Sequence, residues 1–250
     1  MVKISIITAV FNSVRTIKDC IESVKSQSYS NIEHILIDGQ STDGTLAVIK
    51  EYGDHISQLI SEKDSGIYDA LNKGISCATG DVIGFLHSDD ILKNKYVLAK
   101  YAEIFNNKEE IDSCYSDLVY VEADNLNKVK RYWKSNKYDA DKLLWGWMPP
   151  HPTFYVRSEV YRKYGAFRLD MGTAADYELM LRLLCKNKIS AEYIPCVTVK
   201  MRVGGMSNIT FSSRVKANLM DRKAWKVNKL SPHPLTLIFK PLRKLKQFLW

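Results

Sequence analysis

The chain has 250 residues, 46% of them hydrophobic and 26% charged, a composition that sustains one large folded domain and excludes wholesale disorder. Its five cysteines (Cys20, Cys77, Cys114, Cys185, Cys196) lack any CxxC pair or His/Cys ligand spacing, so neither a disulfide framework nor a zinc site is expected, and a reducing cytosol fits best. The formal charge of +8 is not a nucleic-acid footprint: residues 211–250 hold ten Lys/Arg against Asp221 alone, which leaves the first 210 residues at about −1.

Met1 runs directly into a strand-like segment with no export signal, and the apolar runs 4–11 and 82–86 fall far short of the roughly 20 residues that span a bilayer. Residues 3–10 form a β-branched run closed by Phe11, Asn12 and Ser13. Val14, Ile17, Ile21 and Val24 then recur at helical spacing. A second strand over 32–37 meets a polar turn at 38–45, followed by a helix over 46–52 and a short strand over 56–61. Residues 67–78 read as a helix closed by Thr79 and Gly80, and 82–86 as a buried strand ending at His87. Beyond it come a helix over 96–105, an antiparallel pair over 113–122 and 129–133, and a helix over 174–185. Strands alternating with helices imply an α/β fold with a mostly parallel sheet, whose ligand edge lies at the strand C-terminal ends. No linker divides residues 1–210, so one domain is expected there, followed by a basic tail over 211–250.

Asp89 and Asp90 stand just after the buried strand. Adjacent carboxylates repel unless a cation or solvent separates them, and Mg2+ or Mn2+ takes one or two such oxygens while phosphates and water complete its shell. The same pair also reads as a cap for the helix at 96. The turn 38–45 is equally a helix-capping turn through Ser41, Thr42 or Asp43, and 64–74 equally a capped helix with a solvated face.

In order, Thr8-Ala9-Val10-Phe11-Asn12, the turn 38–45 (DGQSTDGT), residues 64–74 (DSGIYDALNKG) and residues 80–90 (GDVIGFLHSDD) resemble the family 2 glycosyltransferases. The likeness is greatest to bacterial members that build cell-surface polysaccharides, and it spans residues 1–205. It implies the GT-A fold, a Rossmann-like, mostly parallel sheet flanked by helices with a small antiparallel part, here followed by the basic C-terminal helical tail. Residues 1–110 would form the nucleotide-sugar half and 111–210 the acceptor half. The resemblance further implies a metal-dependent hexosyltransferase that uses Mn2+ or Mg2+, a nucleotide-diphosphate sugar donor (a UDP-sugar first) and a lipid-linked saccharide acceptor, and that inverts the sugar configuration.

Carried over residue by residue, the resemblance places Thr8, Val10 and Asn12 along the nucleotide pocket. Asp38 would hold the base or ribose, and Asp64 the base edge; Asn72 and Lys73 belong to the same donor-binding motif. Asp89 would approach the ribose or metal, and Asp90 would bind the metal bridging the two phosphates. Asp176 matches the general base that takes the acceptor's proton, with Glu178 as fallback. Trp145, Trp147 and His151 fall where relatives hold the acceptor, although the two tryptophans read equally well as core. Arg202, opening Arg202-Val203-Gly204-Gly205-Met206-Ser207, would close over the diphosphate. Three positions depart from the family's acids: Gly39, His87 and Ala175. His87 stays open between metal ligand, phosphate donor and packed strand-end histidine.

The tail interleaves its cations with Leu219, Trp225, Leu230 and further apolar residues. That pattern suits an anionic membrane surface, which would put the protein in the cytoplasm at the inner face of the plasma membrane. It suits a helix packed on the domain as well. The rival functions are a nucleotidyltransferase and a non-catalytic, membrane-associated nucleotide-sugar-binding subunit.

Overall fold

The computed structural model describes residues 1–204, 211–233, 236 and 247. Its first half alternates β1 (Ile4–Val10), α1 (Ile17–Lys25), β2 (Ile32–Asp38), α2 (Thr45–Lys50), β3 (Gln58–Ser61), α3 (Ile67–Cys77) and β4 (Val82–Phe85). These four strands lie parallel in the order β3-β2-β1-β4. Every residue of β1 is buried, as a strand covered by helices on both faces must be. Ile4 and Ile6 enter one apolar layer with Ile17, Ile21 and Tyr101, whereas Ile7 and Ala9 enter the other with Leu71, Tyr161 and Leu183. Helix α3 lies directly on β1 because Gly74 has no side chain; a Cβ there would come 2.3 Å from Ile7 Cγ2.

The second half holds β5 (Ile91–Leu92), α4 (Val97–Asn107), β6 (Ser113–Val121), β7 (Val129–Trp133), α5 (Ala140–Leu144), β8 (Tyr155–Arg157) and α6 (Ser158–Tyr164). Then come α7 (Ala175–Met180), a π-helical turn (Leu181–Lys186), β9 (Ala191–Arg202) and α8 (Phe211–Val227). Antiparallel β8 joins β4 to β6, which extends the sheet to β9 and β5, while β7 pairs with β6.

Val10 pairs with Asp38, Asp38 with Ser61, and Ile7 with Phe85, so the four parallel strands end along one edge. The chain runs outward from β1 to β2 and β3, then returns to β4 on the other side of β1. Ligands bind such sheets in the crevice at that reversal, outside the strand C-termini. Helix α8 packs onto the body, with Ala224 and Trp225 buried against Tyr177 and Leu181.

Candidate active site

The donor side is built from loops that satisfy one another. Asn12, just past β1, adopts a positive φ of 47°. Its side-chain oxygen accepts from the Thr42 amide at 2.8 Å, and its own amide donates to Ser41 Oγ at 2.9 Å. Asp38 is fully buried and accepts from the Ser41 amide at 3.1 Å and from Ser61 Oγ at 2.7 Å. Asp43, not Asp38, fixes the start of α2, accepting from the Thr45 amide at 3.0 Å and the Val14 amide at 3.1 Å. Asp64 accepts from the Gly66 amide at 2.9 Å. A Cβ on Gly39 would sit 2.5 Å from Asp64 Oδ2, so the departure at Gly39 is what lets Asp64 lean over the end of β2.

The acidic turn follows β4, closed by the Asp90 amide donating to the His87 carbonyl at 2.9 Å. Asp90 caps no helix: α4 begins only at Val97, behind a turn in which Asn94 Oδ1 accepts from the Tyr96 amide. The Asp90 carboxylate is fully buried, and neither oxygen has a hydrogen-bond partner. Burial first, and then the Asp89 charge, push its carboxyl well above the usual range, with Arg202 offsetting this in part. Burial likewise raises Asp89. A buried carboxylate without a donor needs a proton or a cation. Asp90 therefore fits a divalent ion. Among the described residues no group of three or more His, Cys, Asp or Glu is placed to hold a metal ion.

Across the edge stands Asp176, the second residue of α7. Its Oδ1 accepts from the Tyr177 amide at 2.7 Å, and its Oδ2 lies 3.4 Å from His151 Nδ1. His151 Nε2 in turn lies 3.4 Å from His87 Nε2. Tyr120 lies on β6. Burial pushes its hydroxyl up, Arg131 opposes this, and the charges of Asp90 and Asp176 both add to the rise. The fallback base is unsuitable: Glu178 is buried, takes Arg182 on both oxygens at 3.0 Å and accepts from Asn228 at 3.1 Å.

Residues 5–165, well over half of the chain, match the family described as Glycosyl transferase family 2. The chain belongs to that family. An uncharacterised glycosyltransferase of Mycobacterium tuberculosis is 35% identical over 187 residues, which cover 73% of this chain and 70% of that protein. A PGL/p-HBAD biosynthesis glycosyltransferase of Mycobacterium bovis is 27% identical over 208 residues, 82% of this chain and 78% of its own length. S. aureus TarS in complex with UDP-GlcNAc shares the fold with a TM-score of 0.74 at 18% identity, covering 99% of this chain and 71% of that one. The mannosyltransferase PcManGT from Pyrobaculum calidifontis, in complex with GDP-Man and Mn2+, gives 0.67 at 17%, covering 99% and 70%. The GT-A architecture read from the sequence is therefore the fold of this glycosyltransferase.

Several sequence-assigned residues of the glycosyltransferase work from behind the site. Thr8 and Val10 are sealed in the sheet, the Thr8 hydroxyl 3.0 Å from His34 Nε2, so Phe11 and Asn12 are what β1 presents at the edge. The Asn72 amide is used at both ends on the Phe167 backbone, each at 2.9 Å, tying α3 to the loop that leads to Asp176. Lys73 pairs with Glu62 at 2.8 Å and donates to the Lys63 carbonyl. Arg202 is buried and committed within the protein: it donates to the Asp89 carbonyl at 2.7 Å and the Ala123 carbonyl at 3.1 Å, and pairs with Asp19. It thus braces the acidic turn. The segment from Gly205 to Ser207 lies outside the described residues. Trp147 is core, packed edge-on against Tyr115, whereas Trp145 is 36% exposed and stacks on His233. Sequence reading missed Tyr68 as a neighbour of Asp176; burial and the Asp176 charge drive its hydroxyl far up.

Proposed function

We propose that this enzyme is an inverting hexosyltransferase that moves a sugar from a nucleoside-diphosphate sugar, a UDP-sugar first, onto a hydroxyl of a lipid-linked saccharide in bacterial surface polysaccharide synthesis. The observation that carries this reading is the partnerless, buried carboxylate of Asp90 at the strand edge, with Asp176 linked to the same edge through His151 and His87. A bound Mn2+ or Mg2+ supplies charge neutralisation for the departing diphosphate. The chain's own residues do the rest. Asp38 and Asp64 orient the nucleoside, Arg202 and Asp19 hold the acidic turn, and Asp176 takes the proton of the attacking hydroxyl on the far face of the sugar. Solved structures of the same fold hold UDP-GlcNAc, or GDP-Man with Mn2+, which supports a nucleotide-sugar donor and a cation. Residues 1–210 form the catalytic unit on this reading, and the basic segment 211–250 docks it at the inner face of the membrane. No helix among the described residues is long and apolar enough to cross a membrane.

A thermal-shift panel of UDP- and GDP-sugars, each with and without Mn2+, tests the donor, because a ligand that binds only the folded state raises its melting temperature. A shift that requires Mn2+ is expected for one nucleotide. Asp176→Asn retains that shift but loses at least about 100-fold in release of nucleoside diphosphate. Undiminished release sinks the assignment of the base. Release of pyrophosphate instead would make the enzyme a nucleotidyltransferase.

A further inference from the structure

The His87–His151–Asp176 row joins the acidic turn of the donor half to the base of the acceptor half, and no step above uses its two imidazoles. His151 is rigidly presented. It lies between Pro150 and Pro152 and opens a short 3-10 turn, His151–Thr153. Thr153 is fully buried and anchors that turn: its hydroxyl donates to the Pro150 carbonyl at 2.8 Å and accepts from the Ser116 amide at 3.1 Å, and its carbonyl accepts from Tyr101 at 2.8 Å. The ring cannot follow a moving ligand. It faces the base through Nδ1 and His87 through Nε2, both at 3.4 Å.

We propose that His151 is a positioning residue for Asp176, donating from Nδ1–H to the carboxylate while its Nε2 accepts from Nε2–H of His87. This rests on Asp176 being the base, and it deepens that reading. Proton placement follows from the partners. Asp176 Oδ2 only accepts when ionised, so the facing Nδ1 carries the proton. In neutral His151 the bare nitrogen is then Nε2, and the nitrogen facing it, His87 Nε2, must be the donor. His87 Nδ1 is thereby left as a bare lone pair, and it is the buried nitrogen with no hydrogen-bond partner. An unmet acceptor is tolerated in a protein interior better than an unmet N–H. Apo hydrogen bonds of catalytic groups are commonly long and tighten when substrate closes the site.

Nitrogen-15 NMR of the full chain labelled in histidine, at pH 7 and with ring signals assigned by His87→Gln and His151→Asn, reads the tautomers directly. The expected result is His151 protonated at Nδ1 only and His87 at Nε2 only. A proton on His151 Nε2, or a doubly protonated ring, overturns the proposal. Kinetics form the second arm, with the nucleotide sugar selected by the thermal-shift panel and Mn2+. His151→Leu lowers kcat about 10- to 100-fold with donor KM within about 2-fold of wild type, as loss of base alignment does. His151→Asn, whose amide nitrogen stands where Nδ1 stood, recovers most of that loss. Equal losses in both variants mean packing rather than positioning. Wild-type rates in His151→Leu beside an inactive Asp176→Asn sink this inference alone, whereas an active Asp176→Asn sinks the reading it rests on.

Discussion

Asp90 and Asp117 are both buried carboxylates, at 0% and 2% exposure, in opposite environments. Asp117 accepts from Tyr132 at 2.7 Å, from Tyr193 at 2.9 Å and from the Ser135 amide at 2.6 Å, so it is structural and complete. Asp90 has no hydrogen-bond partner on either oxygen, which leaves a desolvation cost in the apo fold that a proton or a bound cation removes. Asp90→Asn is therefore expected to stabilise the apo enzyme by about 1–3 kcal/mol in urea unfolding, since a neutral amide is buried there without needing a proton or a cation. The same change abolishes the Mn2+-dependent shift by nucleotide sugar. An apo protein made less stable by Asp90→Asn would show that the carboxylate has a structural partner after all. The sequence singled out this acid only by its place after a buried strand and three other matching segments; taken alone, Asp89-Asp90 reads as a helix cap. Its orphaned state depends on which groups fold around it, and that is not written locally. The same holds for Gly39, whose reason is the carboxylate of Asp64 on another loop, and for Glu178, whose ties to Arg182 and Asn228 disqualify it as a base.

At the scale of elements, β1, β2 and β4 were legible because each carries a buried apolar run, and α1 and α3 because their apolar residues recur at helical spacing. The second half was less so. Strand β8 has three residues, and β9 mixes Pro195 with Glu192 and Lys200 and shifts register against β6, so neither shows the alternation that marks a strand. The helix expected over 174–185 forms, but its second half winds as a π turn. There Arg182 bonds Glu178 and the carbonyls of Gly165 and Ala166, while its own carbonyl accepts from the Asn187 side chain at 2.8 Å. Opposite the site, Glu33 ties β1, β2 and the turn before β4 together. It accepts from Ser5, from Lys3 at 2.7 Å, and from the Gly80 amide at 3.1 Å. Burial disfavours its charge, but the hydrogen bonds from Lys3, Ser5 and Thr79 prevail and bring its carboxyl from 4.5 to about 2. A depressed carboxyl contributes stability that is complete above pH 4.5 and is lost as the pH falls towards 2. Because Lys3 is 35% exposed, the contribution is discounted for solvent screening to about 2 kcal/mol. Glu33→Gln should lower stability by that amount at pH 7 and flatten the acid limb of a urea-midpoint profile; an unchanged slope from pH 4.5 to 2 would assign the acid sensitivity elsewhere.

For the whole molecule, charge is segregated: ten cations against one acid in the last forty residues, on a body near neutrality. Helix α8 uses one face to hold the body, burying Trp225 to 2% exposure, and Asn228 just past its end donates to Glu178 on α7. Deleting 211–250 would therefore strip the cover from Tyr177 and Leu181, and a truncated protein's failure to bind lipid would say little about charge. The opposite face offers a cleaner test. Arg222 and Lys226 are exposed there, as is Leu219 at 55%, and Lys229 is exposed just past the end of the helix. Each such cation is worth up to about 1 kcal/mol near an anionic bilayer, so Arg222→Gln, Lys226→Gln and Lys229→Gln together should weaken binding to phosphatidylserine vesicles by up to about 100-fold. Melting temperature should hold, since none of the three is buried, and raised salt should erase the difference between variant and wild type. Co-sedimentation with anionic and neutral vesicles measures this. Equal binding of variant and wild type to the anionic vesicles would make the face ordinary solvated surface and leave α8 a purely structural helix bracing the base.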